Sequence, residues 1–177
     1  MTLDKGLVEK IKRIRLLLLD VDGVLTDGRI IYDDDGRETK FFDVRDGHGL
    51  KLLMRSGVEV GIITSRESRV VAHRAKNLGI ELLRQGMLDK LKALEEILEE
   101  RPYAPEEIAY VGDDTVDLPV LKRVGLSVAV ADAVEEVKEM ADYVTGKTGG
   151  RGAVREVAEL ILKAQGKWEG IIGHYLR

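Results

Sequence analysis

Short apolar runs rich in Ile, Val and Leu recur along this chain, and each is too short to form a typical helix. Runs of this composition are typical of strands that are buried on both faces of a sheet. The predicted strands cover residues 14–19, 58–63, 80–83, 108–111 and 126–130. Segments with helical periodicity separate or follow them, at residues 49–55, 67–78, 88–100, 115–124 and 151–164. This alternation predicts an α/β fold, a Rossmann-like three-layer sandwich in which helices cover both faces of a mainly parallel sheet.

One segment interrupts the alternation. The sequence GRIIYDDDGRETKFFDV has two β-rich arms around an Asp-Gly turn, which predicts a β-hairpin over residues 28–43. The acidic tip, Asp33 to Gly36, lacks the carboxylate spacing of a helix-loop-helix calcium site, so we interpret it as a solvated turn.

The composition limits the classes of function. The chain has 177 residues, which suits one domain, and a formal net charge of −4 with both signs interspersed. This balance offers no large basic surface for nucleic acid, and no apolar run approaches the roughly 20 residues needed to cross a bilayer. No leader-like segment is evident, so we expect a cytoplasmic protein. Because there is no cysteine, only histidine and carboxylate side chains are expected to bind a metal.

Two aspartates follow the first predicted strand. Asp20 and Asp22 stand at positions i and i+2, where both side chains can face the same side of an extended chain. Two carboxylates held close together repel each other, and a cation or a shared proton relieves that repulsion. The pattern therefore indicates either an active site or a pair of loop aspartates that cap the next helix.

Two further acids, Asp113 and Asp114, follow the predicted strand 108–111. Ligands of open parallel sheets bind beyond the carboxyl ends of the strands, so these acids are expected to converge with Asp20 and Asp22. Oxygen ligands with open positions suit Mg²⁺ whose coordination is completed by a substrate phosphate. The alternative is N-capping of the following helix, and one of the two acids can serve in both ways.

Thr64 and Lys90 are the remaining candidates at the same edge of the sheet. Thr64 closes strand 58–63, where its hydroxyl and the following backbone N–H groups can hold a phosphate oxygen. An ordinary N-cap is the alternative for this threonine. Lys90 falls near the start of a predicted helix, where the macrodipole disfavours a cation. It is either incidental on a solvated face or placed for a phosphate.

Together these groups fit phosphoryl transfer through an aspartyl-phosphate intermediate. Asp20 would attack phosphorus, Mg²⁺ would bridge it to the phosphate, and Asp22 would protonate the leaving oxygen and later activate water. Thr64 and Lys90 would neutralise the phosphoryl oxygens. A response-regulator receiver uses similar groups, but its acceptor aspartate ends the third strand and its lysine follows that aspartate. Here strand 80–83 ends without an acid and Lys90 precedes the acid pair, which excludes a receiver.

The order Asp-x-Asp, Thr, Lys and Asp-Asp, each beyond a predicted strand, resembles the haloacid dehalogenase superfamily of phosphohydrolases over residues 16–118. The resemblance implies that superfamily's fold and the roles given above. The resemblance further implies that the backbone carbonyl of Asp22 binds Mg²⁺, so the implied metal ligands are Asp20, Asp22 and Asp113. A true dehalogenase of the superfamily needs neither the second acid nor Mg²⁺, so Asp22 favours a phosphate ester as substrate.

Hairpin 28–43 is then a minimal cap over the site. Such an open site suits a large substrate or closure by neighbouring subunits.

A closer family resemblance covers nearly the whole chain. It is carried by the stretches FFDVRDGHGLKLL, AYVGDDTVDLPVLKRVGLSVAVADA and ADYVTGKTGGRGAVREVAELIL. They resemble the phosphatases that hydrolyse 3-deoxy-D-manno-octulosonate 8-phosphate to the free sugar acid and phosphate in lipopolysaccharide biosynthesis. The resemblance implies Mg²⁺, one phosphatase domain over residues 1–177, and a homotetramer in which the hairpins associate. The residues expected to bind substrate are Asp22, Asp43, Val44, Arg45, Asp46, Gly47, Lys51, Arg66, Arg74 and Lys90.

An acidic sugar phosphate carries a carboxylate as well as a phosphate, so it requires cations beyond the one at the nucleophile. Arg45, Lys51, Arg66 and Arg74 are the candidates, with a solvated helix face as the alternative for each arginine. Lys51 stands where the family usually has arginine, which leaves a bidentate contact at this position open.

Two alternative functions stay open. The first is a phosphatase for a nine-carbon acidic sugar phosphate, of the sialic acid or KDN 9-phosphate type. Those relatives tend to have an acid near the position of Arg66, so Arg66 favours the eight-carbon substrate. The second is a non-catalytic companion of a sugar-nucleotide synthetase, which the filled catalytic positions disfavour.

The segment 166–177 is apolar for the end of a chain, with Trp168, Ile171 and Tyr175 among its residues. It is expected to pack on its own domain or, as in the resembling family, to reach a neighbour's active site. The roles of Asp114 and Asp117 beyond supporting the site stay open.

Overall fold

The computed structural model describes residues 4–176. Its strands are β1 (Leu16–Leu19), β2 (Ile31–Tyr32), β3 (Glu38–Thr39), β4 (Glu59–Ile63), β5 (Leu82–Arg84), β6 (Ile108–Gly112), β7 (Leu126–Ala129) and β8 (Tyr143–Val144). Its α-helices are α1 (Lys5–Lys12), α2 (Val44–Arg55), α3 (Arg69–Leu78), α4 (Lys90–Glu100), α5 (Leu118–Leu121), α6 (Glu135–Met140), α7 (Ala153–Ala164) and α8 (Trp168–Tyr175). The predicted alternation of strands and helices is confirmed.

Six strands form one parallel sheet in the order β5-β4-β1-β6-β7-β8. The central strand β1 lies between β4 and β6, and Leu19 is in register with Ile62 on one side and Val111 on the other. All four leucines of β1 are fully buried, which explains why this strand is apolar throughout. The residues that follow β1, β4 and β6 therefore meet at one edge of the sheet. The predicted α/β architecture with a parallel sheet is confirmed.

Two of the predicted helices differ from the structure by more than two residues. Helix α2 begins at Val44 rather than at residue 49, because the Asp43 side chain accepts hydrogen bonds from two backbone N–H groups of its first turn. The predicted helix 115–124 is instead a 3₁₀ turn, Thr115–Asp117, followed by the four-residue α5. Elements α1, α6, α8 and β8 were not predicted.

The hairpin is present but short. Strands β2 and β3 form a separate antiparallel pair in which Ile31 is opposite Thr39 and Tyr32 is opposite Glu38. Gly36 supplies the left-handed conformation of the turn, with φ = 75°. Side chains of the two arms contact the loops that follow β1 and β4, at the site described below.

Helix α8 occupies most of segment 166–177. Trp168 and Ile171 are partly buried against the core, whereas Tyr175 and Leu176 are exposed. Trp168 also lies beneath the guanidinium of Arg155 and the ammonium of Lys163, at 5.5 and 5.1 Å from its ring centre. Within residues 4–176, no helix has both the length and the apolar character that crossing a bilayer requires.

Candidate active site

Asp20 directly follows the central strand and is 6% exposed. Its backbone N–H donates to the carbonyl oxygen of Val111 (3.1 Å), which continues the pairing of β1 with β6 by one residue. Its Oδ1 lies 2.9 Å from Nζ of Lys90. Burial raises the pKa of Asp20 to about 6, although the neighbouring Lys90 opposes this shift. A rigid strand thus presents a largely desolvated carboxylate at the edge of the sheet.

The chain turns sharply after Asp20, and Gly23 makes the turn possible. Gly23 has φ = 97°, and a Cβ at this position would lie 2.0 Å from Oδ2 of Asp113. The buried hydroxyl of Thr26 accepts from the backbone N–H groups of Gly23 (3.4 Å) and Gly28 (3.2 Å) and so closes the loop. Asp22, inside this loop, is partly buried and forms an ion pair with Lys40.

Lys90 is the first residue of α4 and is 2% exposed. Its Nζ contacts Oδ1 of Asp117 (2.6 Å) and Oδ1 of Asp20 (2.9 Å). Burial opposes the charged form, but the two carboxylates outweigh it and raise the pKa of the Lys90 ammonium group. The unfavourable position at a helix N-terminus is therefore offset by buried acids, and an incidental place on a solvated face is excluded.

Asp117 and Tyr110 belong to this buried group. The sequence analysis expected Asp117 to support the site without defining its contacts, and it did not single out Tyr110. Asp117 is fully buried and its Oδ1 accepts from Lys90 and from the Tyr110 hydroxyl (2.6 Å). Its Oδ2 accepts from the backbone N–H groups of Asp113 (3.0 Å) and Asp114 (3.4 Å). Burial and the adjacent Asp117 raise the pKa of Tyr110 far above its ordinary value, so the phenol stays protonated. An aspartate four residues after Asp113 was the available sequence signal.

Asp113 follows β6 and differs from Asp117 in having no hydrogen-bond partner for its buried Oδ1. Burial, with the negative charges of Asp20 and Asp117, raises the pKa of Asp113 to about 8. Oxygen atoms of these three acids lie within 4.8 Å of one another. Because four donors already satisfy Asp117, the side chains of Asp20 and Asp113 are the two that suit a hard divalent cation.

Asp114 caps a helical turn, whereas Thr64 does not. Asp114 caps the 3₁₀ turn that follows, since its Oδ1 accepts from the backbone N–H of Thr115 (2.6 Å). Thr64 is 2% exposed and follows β4, and its hydroxyl oxygen accepts from the backbone N–H of Arg66 (3.4 Å). Helix α3 begins five residues later at Arg69 with Ser68 as its N-cap, so Thr64 is a loop residue and not an N-cap.

The predicted substrate contacts in the DVRDG stretch fall into two groups. Val44 and Arg45, in the first turn of α2, are exposed. Asp46 is 1% exposed, and its carboxylate accepts from the backbone N–H groups of Gly152 (3.3 Å) and Arg155 (2.7 Å) at the start of α7. Its side chain therefore serves as a helix cap in this structure, and burial raises its pKa to about 6.

Asp43, Gly47 and Arg74 lie together. The Asp43 carboxylate caps α2, while its carbonyl oxygen accepts from a terminal guanidinium nitrogen of Arg74 (3.2 Å). Gly47 makes room for that guanidinium, because a Cβ there would lie 2.4 Å from its nitrogen. The Arg74 Nε is buried without a hydrogen-bond partner, and burial lowers the pKa of this arginine. Lys51 lies one turn further along α2 and is half-buried.

Arg66 is the predicted substrate contact that the structure places beside Asp22. Its Nε lies 3.7 Å from Oδ2 of Asp22. One terminal nitrogen of its guanidinium donates to the Tyr32 hydroxyl (2.8 Å) and to Glu38 (3.2 Å), both on the hairpin. The hairpin therefore closes over the loops that carry Asp22 and Thr64.

Comparison with known proteins agrees with this geometry. A model of the haloacid dehalogenase-like hydrolase family matches residues 79–157. The chain is 54% identical over 160 residues to the 3-deoxy-D-manno-octulosonate 8-phosphate phosphatase KdsC of Escherichia coli strain K12, covering 90% of this chain and 85% of that relative. It is 51% identical over 166 residues to KdsC of Yersinia pestis, covering 94% and 89%.

Solved structures resemble the whole fold. The crystal structure of 3-deoxy-D-manno-octulosonate 8-phosphate phosphatase from Yersinia pestis has a TM-score of 0.92 and 50% identity, and covers 94% of this chain and 90% of that chain. The enzyme of the same name from Moraxella catarrhalis, in complex with a magnesium ion, a phosphate ion and KDO, has a TM-score of 0.94 and 46% identity, covering 96% and 97%.

Proposed function

Because this chain belongs to the 3-deoxy-D-manno-octulosonate 8-phosphate phosphatase family of haloacid dehalogenase-like hydrolases, we propose that it hydrolyses this sugar phosphate to 3-deoxy-D-manno-octulosonate and phosphate with Mg²⁺. The observation that carries the proposal is the 54% identity to the Escherichia coli enzyme over 90% of the chain. The substrate belongs to lipopolysaccharide biosynthesis, and we assign the chain to that route. We treat residues 1–177 as one phosphatase domain with hairpin 28–43 as its minimal cap.

Asp20 is the proposed nucleophile. One of its carboxylate oxygens is held by Lys90 at 2.9 Å, which leaves the other to attack phosphorus. The bond between phosphorus and the sugar oxygen breaks, and its electron pair stays on that oxygen. Asp22 gives the departing oxygen a proton, and its carboxylate then takes a proton from the water that attacks the aspartyl phosphate. Two observations support this assignment. Asp20 directly follows the fully buried strand β1, and Asp22 lies two residues later in the loop.

Thr64 and Lys90 are proposed to bind the phosphoryl oxygens. The Thr64 hydroxyl oxygen accepts a backbone hydrogen bond, so its own proton is free to be donated outward. Lys90 supplies a permanent positive charge whose position is fixed by Asp117 and Tyr110. In a site with little water, such fixed donors stabilise the charge that develops on the transferred group.

Mg²⁺ is proposed to be held by the carboxylates of Asp20 and Asp113 and by the backbone carbonyl of Asp22. The buried Asp113 oxygen without a partner and the raised pKa values of Asp20 and Asp113 fit a cation at this place. When bound, Mg²⁺ neutralises these acids and draws a phosphate oxygen toward the nucleophile.

Substrate selection is proposed to depend on cations around the cap. Arg66 lies beside Asp22, and Arg74, on α3, contacts the start of α2. Either guanidinium can bind the carboxylate of an acidic sugar. Arg45 and Lys51 on α2 are further candidates. The backbone of the DVRDG stretch, residues 43–47, completes the proposed contacts.

We also propose a homotetramer in the cytoplasm. Several apolar side chains on and near the hairpin are exposed, which supports an interface between subunits. They are Ile30, Tyr32, Phe41 and Val44. Light scattering after size exclusion measures the assembly, and a monomer at micromolar concentration would contradict it.

The proposed reaction is tested with a panel of sugar phosphates. Purified protein with Mg²⁺ should release phosphate from 3-deoxy-D-manno-octulosonate 8-phosphate faster than from hexose phosphates or from a nine-carbon acidic sugar 9-phosphate. Turnover no better than that of simple hexose phosphates would contradict the substrate assignment. No phosphate release from any ester, with Mg²⁺ present, would favour a non-catalytic companion.

A further inference from the structure

Lys40, at the end of the hairpin's second arm, carries a buried positive charge into the site. Its side chain is 1% exposed, and a lysine so far from water requires anionic partners. It has two, an ion pair with Oδ1 of Asp22 and another with Oε1 of Glu38 at 3.2 Å. Both of these close partners are carboxylates of the protein, and one of them is Asp22. The most direct effect of Lys40 on the reaction therefore passes through the carboxylates that it contacts.

The second oxygen of Asp22 faces a second cation. Nε of Arg66 lies 3.7 Å from Oδ2 of Asp22, so the carboxylate stands between two positive charges, one on each oxygen. Arg66 also contacts Glu38 at 3.2 Å, and Glu38 accepts from the Ser68 hydroxyl as well. Glu38 thus fixes both cations on either side of Asp22. The carboxylate has little freedom to rotate as long as this arrangement holds.

The arrangement joins three loops that the proposed chemistry needs in one place. Asp22 comes from the loop after β1, Arg66 and Ser68 come from the loop after β4, and Glu38 and Lys40 come from the hairpin. The contacts of Glu38 with Arg66 and Ser68 already attach the hairpin to the loop after β4, so Lys40 is not needed for that attachment. The additional contact of Lys40 goes to Asp22, the one group whose exact orientation matters for proton transfer.

We propose that Lys40 is a positioning residue: it holds Oδ1 of the Asp22 carboxyl group, so that Oδ2, which carries the proton of the acid form, is oriented toward the leaving sugar oxygen. This inference rests on the proposed function, in which Asp22 is the general acid. A small rotation of a proton donor is costly, because proton transfer requires hydrogen-bond distance to the departing oxygen. Loss of Lys40 frees that rotation without removing the acid itself.

The test compares two substrates with different leaving groups. The alkoxide of 3-deoxy-D-manno-octulosonate needs a proton to depart, whereas 4-nitrophenolate departs without one. The value of kcat/KM reports the steps up to phosphoryl transfer to Asp20, and its ratio for the two substrates does not depend on the fraction of folded enzyme. In Lys40→Met this ratio, sugar phosphate over 4-nitrophenyl phosphate, should fall about tenfold or more. Asp22→Asn should lower the ratio further, and Lys12→Met, a surface lysine on α1, should leave it unchanged.

The possible outcomes separate the inference from the proposed function. An equal fall of kcat/KM for both substrates in Lys40→Met, or no fall in either, would overturn the positioning role while leaving Asp22 as the acid. If Asp22→Asn itself affected both substrates equally, the general-acid assignment would be wrong and the inference would fall with it. Lys40→Gln is one atom shorter and uncharged, so it loses both ion pairs while keeping a polar side chain, and it is judged by the same ratio if Lys40→Met does not yield folded protein.

Discussion

The repulsion among the buried acids makes a prediction about stability. Replacing Asp113 with asparagine removes the charge and keeps the shape, and the new amide can donate to the carboxylate of Asp20. In the absence of metal, Asp113→Asn should therefore be more stable than the parent protein. The same change should abolish binding of Mg²⁺, because it removes one of the two carboxylates proposed to hold the ion.

The magnitude follows from the raised pKa of Asp113. Its pKa rises from 3.8 to about 8 on folding. An acid whose pKa is raised on folding does not destabilise the folded protein below the lower of its two pKa values, because it is then protonated in both states. The folded protein loses stability as the pH rises from the lower pKa toward the higher pKa. Each pKa unit corresponds to about 1.4 kcal/mol. Since Asp113 keeps part of its exposure to water, we expect an advantage of Asp113→Asn of about 3 kcal/mol at pH 8 and at most about 1 kcal/mol at pH 5.

Urea denaturation at pH 5 and pH 8, with EDTA and then with Mg²⁺, measures this directly. At Mg²⁺ about 100 times its dissociation constant, the parent protein should gain about 2.7 kcal/mol, and Asp113→Asn should gain little. Asp114→Asn is the matched control, because asparagine caps a helical turn about as well as aspartate, and it should behave like the parent protein. If the metal-free parent and Asp113→Asn showed the same change in stability between the two pH values, the predicted cost of burying the Asp113 charge beside Asp20 and Asp117 would not exist.

Three further changes test other parts of the site. Asp20→Asn should abolish phosphate release while circular dichroism stays native, and full activity would exclude Asp20 as the nucleophile. Tyr110→Phe leaves Asp117 with one donor fewer and should cost about 1–3 kcal/mol in urea denaturation, so an unchanged midpoint would show that the hydroxyl contributes nothing. Gly149→Ala places a Cβ 1.7 Å from the carbonyl oxygen of Gly23 and should cost about 1–3 kcal/mol, whereas Gly146→Ala meets only ordinary contacts and should be tolerated.

The main sheet was predictable because each strand has a local signature. The run of four leucines predicts a strand that is buried on both faces, and this strand is central in the sheet. Because ligands bind beyond the carboxyl ends of such strands, the strand ends then indicate Asp20, Thr64 and Asp113. Helix α2 was missed at its start because Gly47 and Gly49 weaken the local helical pattern. Both glycines are required by neighbours that the sequence does not reveal: Arg74 packs on the first and α7 on the second.

The buried polar groups were hard to predict for a different reason. Lys40 lies on a hairpin whose other side chains are mostly exposed, and only its distant partner Asp22 makes its burial possible. Tyr110 has the pattern of a core strand residue, and its hydroxyl finds its role only where Asp117 turns back under β6. Asp46 caps a helix that begins more than a hundred residues later. Each depends on a contact between distant parts of the chain, which periodicity does not encode.

The charge balance around the nucleophile indicates which ion the site is built for. Asp20, Asp113 and Asp117 carry three negative charges when ionised, and Lys90 carries one positive charge, so two negative charges are left without a partner. Burial together with this imbalance raises the pKa of Asp113, because a bound proton removes a charge that is otherwise poorly solvated and unpaired. A monovalent cation would leave one charge unbalanced in a poorly solvated site, whereas a divalent cation balances both. A phosphate ester, itself an anion, can approach such a carboxylate cluster only when those charges are neutralised.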